Sequence, residues 1–200
     1  MSISAQVSPP ILVLASTSPF RNSMLKRLHV PFETFAPEVD ESRLAGETPL
    51  ALVRRLARLK AQAAVPHYPH ALIIGSDQIA VIGDQVLGKP GNHDQAVAQL
   101  SLASGQQVDF LTGLCLHDSR NGTDQVDMVK FSVHFRTLST AQIEKYLRQD
   151  QPYNCAGSFK SEGLGIALLT HMDGSDPTAV IGLPLIRLVE MLAVAGMPVL

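Results

Sequence analysis

The sequence predicts a mixed α/β fold, in which a sheet of parallel and antiparallel strands is flanked by helices. Short apolar runs typical of strands alternate with amphipathic segments of helical period along the chain. One long antiparallel hairpin interrupts this alternation, so the sheet is expected to be mixed rather than purely parallel. A content of 46% hydrophobic and 17% charged residues is ample for a folded core.

The N-terminal half of the chain carries the signals of three strands and two helices. Apolar runs bounded by turn or polar residues predict strands at 11–15, 32–36 and 71–74. The helices are expected to begin at Ser18 and Thr48, each followed by a proline, and the first is expected to run to about His29. Proline is favoured there because it lacks only an N–H group that the first helical turn leaves unpaired.

The C-terminal half adds elements with clear turn and capping signals. In chain order, the sequence predicts a small hairpin turning at Gly83-Asp84, a helix at 92–103, strands at 108–117 and 125–136, a helix at 139–148, a strand at 166–169 and a helix from Pro184. Asn121-Gly122 favours a tight turn that joins the two long strands into one hairpin. Ser139 and Gln142 form a capping box. A glycine-rich stretch at 156–165 precedes the last strand.

Length, charge and composition limit the class of protein. Two hundred residues suit one domain, expected at 11–200 after a frayed tail at 1–10. A formal net charge of -2 gives no support to nucleic-acid binding. The apolar run at 11–15 is too short for a signal-peptide core or a membrane span, and two cysteines without metal or redox spacing suit a reducing compartment. The sequence therefore predicts a cytoplasmic protein that binds neither nucleic acid nor membrane.

The turn from Ser16 to Arg21 is the first candidate for chemistry. A helix N-terminus offers unpaired N–H groups and the positive end of a dipole, and both attract phosphate. The hydroxyls of Ser16 and Ser18 and the guanidinium of Arg21 add further donors. Because Ser-Pro at a helix start is also ordinary capping, spacing alone leaves both interpretations open.

Four charged residues outside this turn are candidates because of their positions. Lys60 falls on the apolar face of a helix, so it needs either a partner or a path along which its stem reaches solvent. Asp77 follows a buried strand, where it either faces a ligand crevice or caps a turn. Lys89 follows a turn and is either an anion contact or a solvated loop lysine. Glu41, beside Asp40, lies in an acidic loop that either binds a metal or is simply solvated.

Three other patterns are interpreted as structural. The segment from Gly83 to Lys89 has the glycine and lysine spacing of a P-loop, but Pro90 stands where that motif needs a hydroxyl to hold magnesium. The seven histidines have no metal-binding spacing and are expected to be structural or exposed. Cys155 has no histidine placed with it in the sequence, so a thiol nucleophile is not expected.

The candidate residues belong to a series of motifs whose order and spacing resemble the Maf family of nucleotide pyrophosphatases, over roughly residues 11 to 195. The motifs occupy residues 15–21, 37–41, 55–61, 75–78, 88–90, 157–165 and 180–184. The resemblance implies a fold like that of the inosine-triphosphate pyrophosphatases, an elongated twisted mixed sheet flanked by helices with two lobes around a cleft. It also implies cleavage between the α- and β-phosphates of a nucleoside triphosphate, with a divalent metal (magnesium, manganese or cobalt) as cofactor.

The resemblance assigns roles residue by residue. Catalytic roles fall on Asp77, Glu41, Lys60 and Lys89, with Asp77 as proton acceptor and both carboxylates as metal ligands. Substrate-binding roles fall on Ser16, Ser18, Phe20, Arg21, Gln78 and Glu162. These groups suit the reaction, because attack of water on a polyanion needs a base and cations that offset the developing charge.

Three positions narrow the resemblance to the subgroup that hydrolyses 7-methyl-GTP to 7-methyl-GMP and pyrophosphate, which removes modified nucleotides from the pool. Phe20 replaces an arginine common in the family, and Gln78 and Glu162 stand where pyrimidine-preferring members have Thr and Gln. A 7-methylguanine ring is cationic, so the face of Phe20 would attract it by about 0.5–2 kcal/mol. The Glu162 carboxylate would accept hydrogen bonds from the edge of the base.

Two other functions stay open from the sequence. One is a pyrophosphatase for dTTP or UTP. The other is a nucleotide-binding regulator of septum formation and cell division, a role linked to the family. The sequence also leaves open which metal is preferred, whether the protein is a homodimer, and whether Asp77 acts as base, metal ligand or both.

Overall fold

A mixed β-sheet runs through the part of the chain that the computed structural model describes, residues 10–200. Within that range its seven strands are β1 (Ile11–Ala15), β2 (Glu33–Phe35), β3 (Ala71–Ile82), β4 (Gln85–Leu87), β5 (Gln107–Asp118), β6 (Thr123–Phe135) and β7 (Leu169–Asp173). Their order is β2-β1-β3-β5-β6-β7, with β4 paired to β3. β1 is parallel to β2 and β3 and the other pairs are antiparallel, which confirms the predicted mixed sheet. The tail predicted at 1–10 lies outside the described residues except for its last position.

Helices flank this sheet. In the described range they are α1 (Pro19–Lys26), α2 (Pro49–Ala63), α3 (His93–Ala103), α4 (Thr140–Asp150) and α5 (Leu185–Val194). Four are capped by a side chain that accepts a hydrogen bond from the backbone N–H three residues later: Ser18, Thr48, Asn92 and Ser139. The predicted capping box of Ser139 and Gln142 is present. Between residues 10 and 200, every helix is too short or too polar to cross a membrane.

β3 continues well past the end that the sequence predicts for it. The predicted end near Asp77 is wrong, because the strand reaches Ile82 and Asp77 lies in its middle. Gly75, two residues before Asp77, lets α2 pack closely on the strand, and the chain does not turn there. A Cβ atom on Gly75 would overlap the carbonyl oxygen of Ala57 in α2.

Two other boundaries differ from the sequence prediction. α1 ends about a turn before its predicted end at His29, which has a positive φ of 54°. The strand predicted at 166–169 is also wrong, since Leu164–Leu168 forms a 3₁₀ turn and β7 begins only at Leu169. Leu168 is buried in the core, so the apolar run reflects burial of a turn rather than strand pairing.

The hydrophobic core has two main parts, which lie toward opposite ends of β3. One part packs β1, α1 and α5 around residues such as Ile74 and Leu188. The other packs α3 and α4 around residues such as Ala80 and Leu147. The segment 76–78 lies on β3 between them. This division corresponds to the two lobes that the family resemblance implies, and it places polar side chains at the boundary.

Candidate active site

β3 exchanges its neighbour at the boundary between the two parts of the core. On one side it pairs with β1 as far as Gly75, opposite Ala15, and with β4 only from Ala80 onward. Within the described chain, residues 76–79 therefore have no strand on that side. Asp77, only 7% exposed, lies beside this gap. A point where a strand changes partners is where loops of α/β proteins bring ligand-binding groups together.

The turn between β1 and α1 is held rigidly by its own side chains. Ser16 Oγ accepts a hydrogen bond from Ser18 N at 3.1 Å, and Ser18 Oγ accepts one from Arg21 N at 3.4 Å. Arg21 donates through Nε to the carbonyl oxygen of Gly182 at 2.8 Å and through Nη1 to Ser16 Oγ at 3.5 Å. Ser76 Oγ donates to the same carbonyl oxygen at 3.0 Å. The start of α1 is thus attached to β3 through Gly182.

Lys60 joins the two carboxylates that the sequence analysis selected. Its Nζ donates to Asp77 Oδ1 at 2.6 Å and lies 2.7 Å from Glu41 Oε1. Lys60 and Asp77 are both buried, whereas the side chain of Glu41 is 56% exposed. The lysine on an apolar helix face therefore has charged partners and does not need to reach solvent.

Close packing of α2 on the sheet brings Lys60 to Asp77. Gly75 on β3 and Gly113 on β5 let the helix approach, because a Cβ atom on either would overlap helix backbone. Ala57, which contacts Gly75, lies about one helical turn before Lys60, and Gly75 lies two residues before Asp77. The contact that excludes a side chain at Gly75 thus also fixes where the ammonium meets the carboxylate.

Three cations act on the Glu41 carboxylate. Burial alone would raise the pKa of Glu41, but the hydrogen bond and the charge of Lys60 lower it instead. The charges of Lys89 and Arg21 lower the pKa of Glu41 further. Burial lowers the pKa of Arg21, while the charges of Asp77 and Glu41 raise it in part. An anion that enters between these groups meets a net positive field.

Lys89 is exposed and lies just after β4, where the chain is tied to the glycine-rich segment. The carbonyl oxygen of Gly88 accepts hydrogen bonds from Gly157 N at 3.2 Å and from Gln99 Nε2 at 3.1 Å. The positive charge of the exposed Lys89 contributes to the lowered pKa of Glu41, so its ammonium lies on the same side of the molecule as that carboxylate.

Phe20 lies at the edge of the site beside a lysine that the sequence analysis did not select. The Nζ atom of Lys160 is 5.7 Å from the centre of the Phe20 ring, within the range of a cation–π contact. The backbone N–H of Lys160 donates to the hydroxyl of Tyr146 at 3.0 Å. Glu162 follows two residues later, is exposed, and accepts a hydrogen bond from Ser161 Oγ at 3.2 Å. The sequence analysis selected Glu162 in this segment but not Lys160.

Gln78 is held in the protein by its amide nitrogen. Nε2 donates to Thr112 Oγ1 at 2.9 Å, to the carbonyl oxygen of Ala179 at 2.7 Å and to that of Val180 at 3.1 Å. These contacts tie β3 and β5 to the loop that carries Gly182. In the structure, Gln78 therefore positions the loop that anchors Arg21.

The same loop depends on two buried residues that the sequence analysis did not select. Asp176 Oδ2 accepts from Ile186 N at 2.8 Å, and Thr178 Oγ1 accepts from Leu185 N at 2.8 Å. Both N–H groups belong to the first turn of α5, which has no cap of its own at Pro184. The sequence gives no local signal for them, because Thr178 and Asp176 cap the helix from seven and ten residues away.

Burial makes both cysteines poorly suited to act as nucleophiles. Burial raises the pKa of Cys155 to about 11, and it also raises the pKa of buried Cys115. Thiols with raised pKa values stay protonated at neutral pH, which agrees with the sequence interpretation.

A pocket of about 620 Å³ adjoins the same turn on the side of β2. Its lining includes residues 16–18 together with Asn22 and Lys26, and no Asp or Glu residue lines it. The carboxylates suited to acid–base and metal chemistry, Asp77 and Glu41, instead contact Lys60. The candidate active site therefore lies around Lys60.

The two carboxylates fit a divalent cation. Lys60 engages only one oxygen of each, and within residues 10–200 no protein hydrogen bond reaches Asp77 Oδ2 or Glu41 Oε2. Magnesium is usually held by one or two carboxylates, with phosphate oxygens and water completing its octahedron. Asp77 and Glu41 therefore have the donor atoms for this role.

Comparison with known proteins gives a family and several similar relatives. The family model described as Maf-like protein matches residues 11–195. A protein from Nitrosococcus oceani named 7-methyl-GTP pyrophosphatase is 55% identical over 193 residues, which are 96% of this chain and 97% of that protein. Proteins of the same name from Alcanivorax borkumensis and Pseudoalteromonas translucida are 57% and 55% identical over 187 and 189 residues. Those matches cover 94% of this chain and 95% and 94% of the two relatives.

Proposed function

We propose a function from one premise: the chain belongs to the Maf family. The chain hydrolyses the α–β phosphoanhydride bond of 7-methyl-GTP, giving 7-methyl-GMP and pyrophosphate, and so removes a modified nucleotide from the pool. The observation that carries this proposal is the contact of Lys60 with both Asp77 and Glu41, beside Arg21. The names of the relatives support the choice of substrate.

The proposed reaction is attack of water on the triphosphate. Asp77 takes a proton from the attacking water, and pyrophosphate leaves with the electrons of the broken P–O bond. Arg21, Lys89 and the N-terminal turn of α1 face the phosphates and offset the charge that develops on their oxygens. The fixed hydrogen bonds of Ser16 and Ser18 keep that turn in place before the substrate arrives.

Lys60 has two roles in this proposal. It orients Asp77 through the 2.6 Å hydrogen bond, and it holds the more exposed Glu41 toward the site. Asp77 and Glu41 would hold a divalent metal, with magnesium, manganese and cobalt as the candidates, and the metal supplies charge that neutralises the phosphates.

Recognition of the base is proposed for Phe20 and Glu162. Lys160 already lies on one face of the Phe20 ring, so that face attracts a positive charge in the free protein. The cationic 7-methylguanine ring takes the place of the Lys160 ammonium, and the exposed Glu162 carboxylate accepts from the N1–H and N2–H₂ edge of the base.

A substrate panel tests the proposal. Pyrophosphate release from 7-methyl-GTP, GTP, UTP and dTTP is measured with magnesium, manganese and cobalt. We expect the highest kcat/KM for 7-methyl-GTP, a smaller preference over GTP in Glu162→Gln, and a loss of about 10²–10⁴-fold in Asp77→Asn. Faster turnover of UTP or dTTP would favour the pyrimidine alternative. Nucleotide binding without metal-dependent turnover would favour a regulatory protein.

A further inference from the structure

A second cluster of metal-ligating side chains lies on the sheet, away from the candidate active site. His134 on β6 is paired in register with His171 on β7, and Asp173 follows two residues after His171. Side chains two residues apart on a strand point to the same face, and a paired residue on the neighbouring strand points there too. Strand pairing thus brings together three residues that have no metal-binding spacing in the sequence.

The distances from the two histidines to Asp173 are close to those between ligands of a zinc ion, but the two imidazole rings stack face to face with their centroids 3.8 Å apart, so one ring must turn out of the stack for both to bind one ion. His134 Nε2 lies 2.9 Å and His171 Nε2 lies 3.5 Å from Asp173 Oδ2. One ligand atom from each residue lies within 4.8 Å of the other two. Two ligands on a tetrahedral zinc ion, each about 2.0–2.1 Å from the metal, are separated by about 3.3 Å. The two measured separations fall on either side of that value.

Thr170 contacts the ring nitrogen of His171 that does not face Asp173. Its hydroxyl donates to the carbonyl oxygen of His134 at 3.1 Å, and it lies 3.1 Å from His171 Nδ1, from which it can accept a hydrogen bond. In the tautomer with its proton on Nδ1, the lone pair of His171 Nε2 faces the Asp173 carboxylate, as it does where both side chains bind one metal ion.

The exposure of the three side chains and their ligand types indicate which cation the cluster would bind. The side chains of His171 and Asp173 are 57% and 65% exposed, so an ion reaches them directly from solvent. Two imidazoles and one carboxylate suit zinc and the late first-row divalent metals, whereas magnesium prefers oxygen ligands. The contact between Thr170 and His171 is the outer hydrogen bond that metal-binding histidines typically make.

We propose that His134, His171 and Asp173 bind a zinc ion that joins the edge strand β7 to β6. Water completes the fourth position of the tetrahedron. The site is separate from the candidate active site. Asp77 on β3 lies opposite Gly113 on β5, which lies opposite Met128 on β6. His134 lies six residues beyond Met128, about 20 Å further along β6.

Zinc titration of the full chain without an affinity tag tests the proposal, with magnesium in excess to occupy oxygen sites. Calorimetry is expected to show a zinc site that His171→Gln and His134→Gln lose and His29→Asn keeps. His29 is an exposed histidine with a positive φ, which asparagine tolerates, and it serves as the matched control. Zinc is also expected to raise the Tm of the wild type and of His29→Asn, but not of His171→Gln.

Thr170→Val tests the outer hydrogen bond without removing a ligand. We expect zinc affinity to fall by about 10–100-fold, while the zinc-free Tm stays close to that of the wild type. The proposal is overturned if the wild type binds no zinc. It is equally overturned if His171→Gln binds zinc as the wild type does. Neither result bears on pyrophosphate release.

Discussion

Lys60 distinguishes this site at the scale of single residues. An ammonium buried to 7% exposure on an apolar helix face is costly unless its partners compensate for the water it has lost. Asp77 is equally buried and depends on the same contact, whereas Glu41 stays more than half exposed. The contact thus couples the stability of the fold to the chemistry that we propose for Asp77.

Replacing Lys60 with methionine is expected to reduce both stability and turnover. Removing one partner of a buried ion pair leaves the other charge without compensation, at a cost of about 3–5 kcal/mol in the free energy of unfolding. Chemical denaturation measures this loss, and pyrophosphate release measures the fall in activity.

The double variant Lys60→Met with Asp77→Asn is the control for this experiment. With neither charge left in the interior, we expect most of the lost stability to return, while activity stays low. A double variant as unstable as Lys60→Met alone would show that the ion pair is not the source of the loss.

Phe20 is expected to set the preference for a cationic base. Leucine at this position keeps an apolar surface but removes the ring face, which is worth about 0.5–2 kcal/mol to a cation. We therefore expect Phe20→Leu to lower the ratio of kcat/KM for 7-methyl-GTP over GTP by about 2–30-fold. An unchanged ratio would place the base elsewhere.

At the scale of elements, α2 and β3 form the site through one close contact. Alanine at Gly75 would collide with the carbonyl oxygen of Ala57, so the helix must move away from the strand. Overpacking of this kind costs about 1–3 kcal/mol, and it also separates Lys60 from Asp77. We expect Gly75→Ala to lose activity along with stability, as measured by denaturation and pyrophosphate release. Full activity in this variant would show that the helix position is not critical.

Local signals explain which elements the sequence predicts correctly. The starts of α1 and α4 follow from Ser18-Pro19 and from the capping box of Ser139, because caps are contacts within a few residues. The length of β3 does not follow, because Gly75 resembles a turn residue until its contact with α2 is known. The pairing of His134 with His171 depends on the register of β6 and β7, which no local pattern reports.

The site residues also divide into those that the sequence predicts and those that it does not. The resemblance selects Asp77, Lys60 and Glu41, and the structure brings these three together. Lys160 and Asp176 were missed because their contacts join segments that are far apart in the sequence. A series of motifs therefore indicates which residues share a site, whereas packing decides which of them touch.

At the scale of the whole molecule, acid is expected to destabilise the fold. Several carboxyl groups have lowered pKa values in the folded protein: Asp40, Glu41, Glu47, Asp109, Asp118 and Glu144. The hydrogen bond from Arg55 lowers the pKa of Glu47 from 4.5 to about 2. A depressed folded pKa contributes stability above the unfolded value, and this contribution is lost as the pH falls through the folded value.

The free energy of unfolding is therefore expected to fall as the pH drops from about 4.5 toward 2, the window that Glu47 defines. Denaturation curves over this range measure the slope. Glu47→Gln removes one titrating group and is expected to make the slope shallower. An identical slope in wild type and variant would exclude Glu47 as a contributor.

The identity of the products tests the central claim most directly. Purified protein is incubated with 7-methyl-GTP and magnesium, and the nucleotide and phosphate products are separated and identified for the wild type and for folded Asp77→Asn. We predict 7-methyl-GMP and pyrophosphate from the wild type, with almost none from the variant. Formation of 7-methyl-GDP and phosphate, or equal turnover by Asp77→Asn, would contradict the assignment of the reaction to this site.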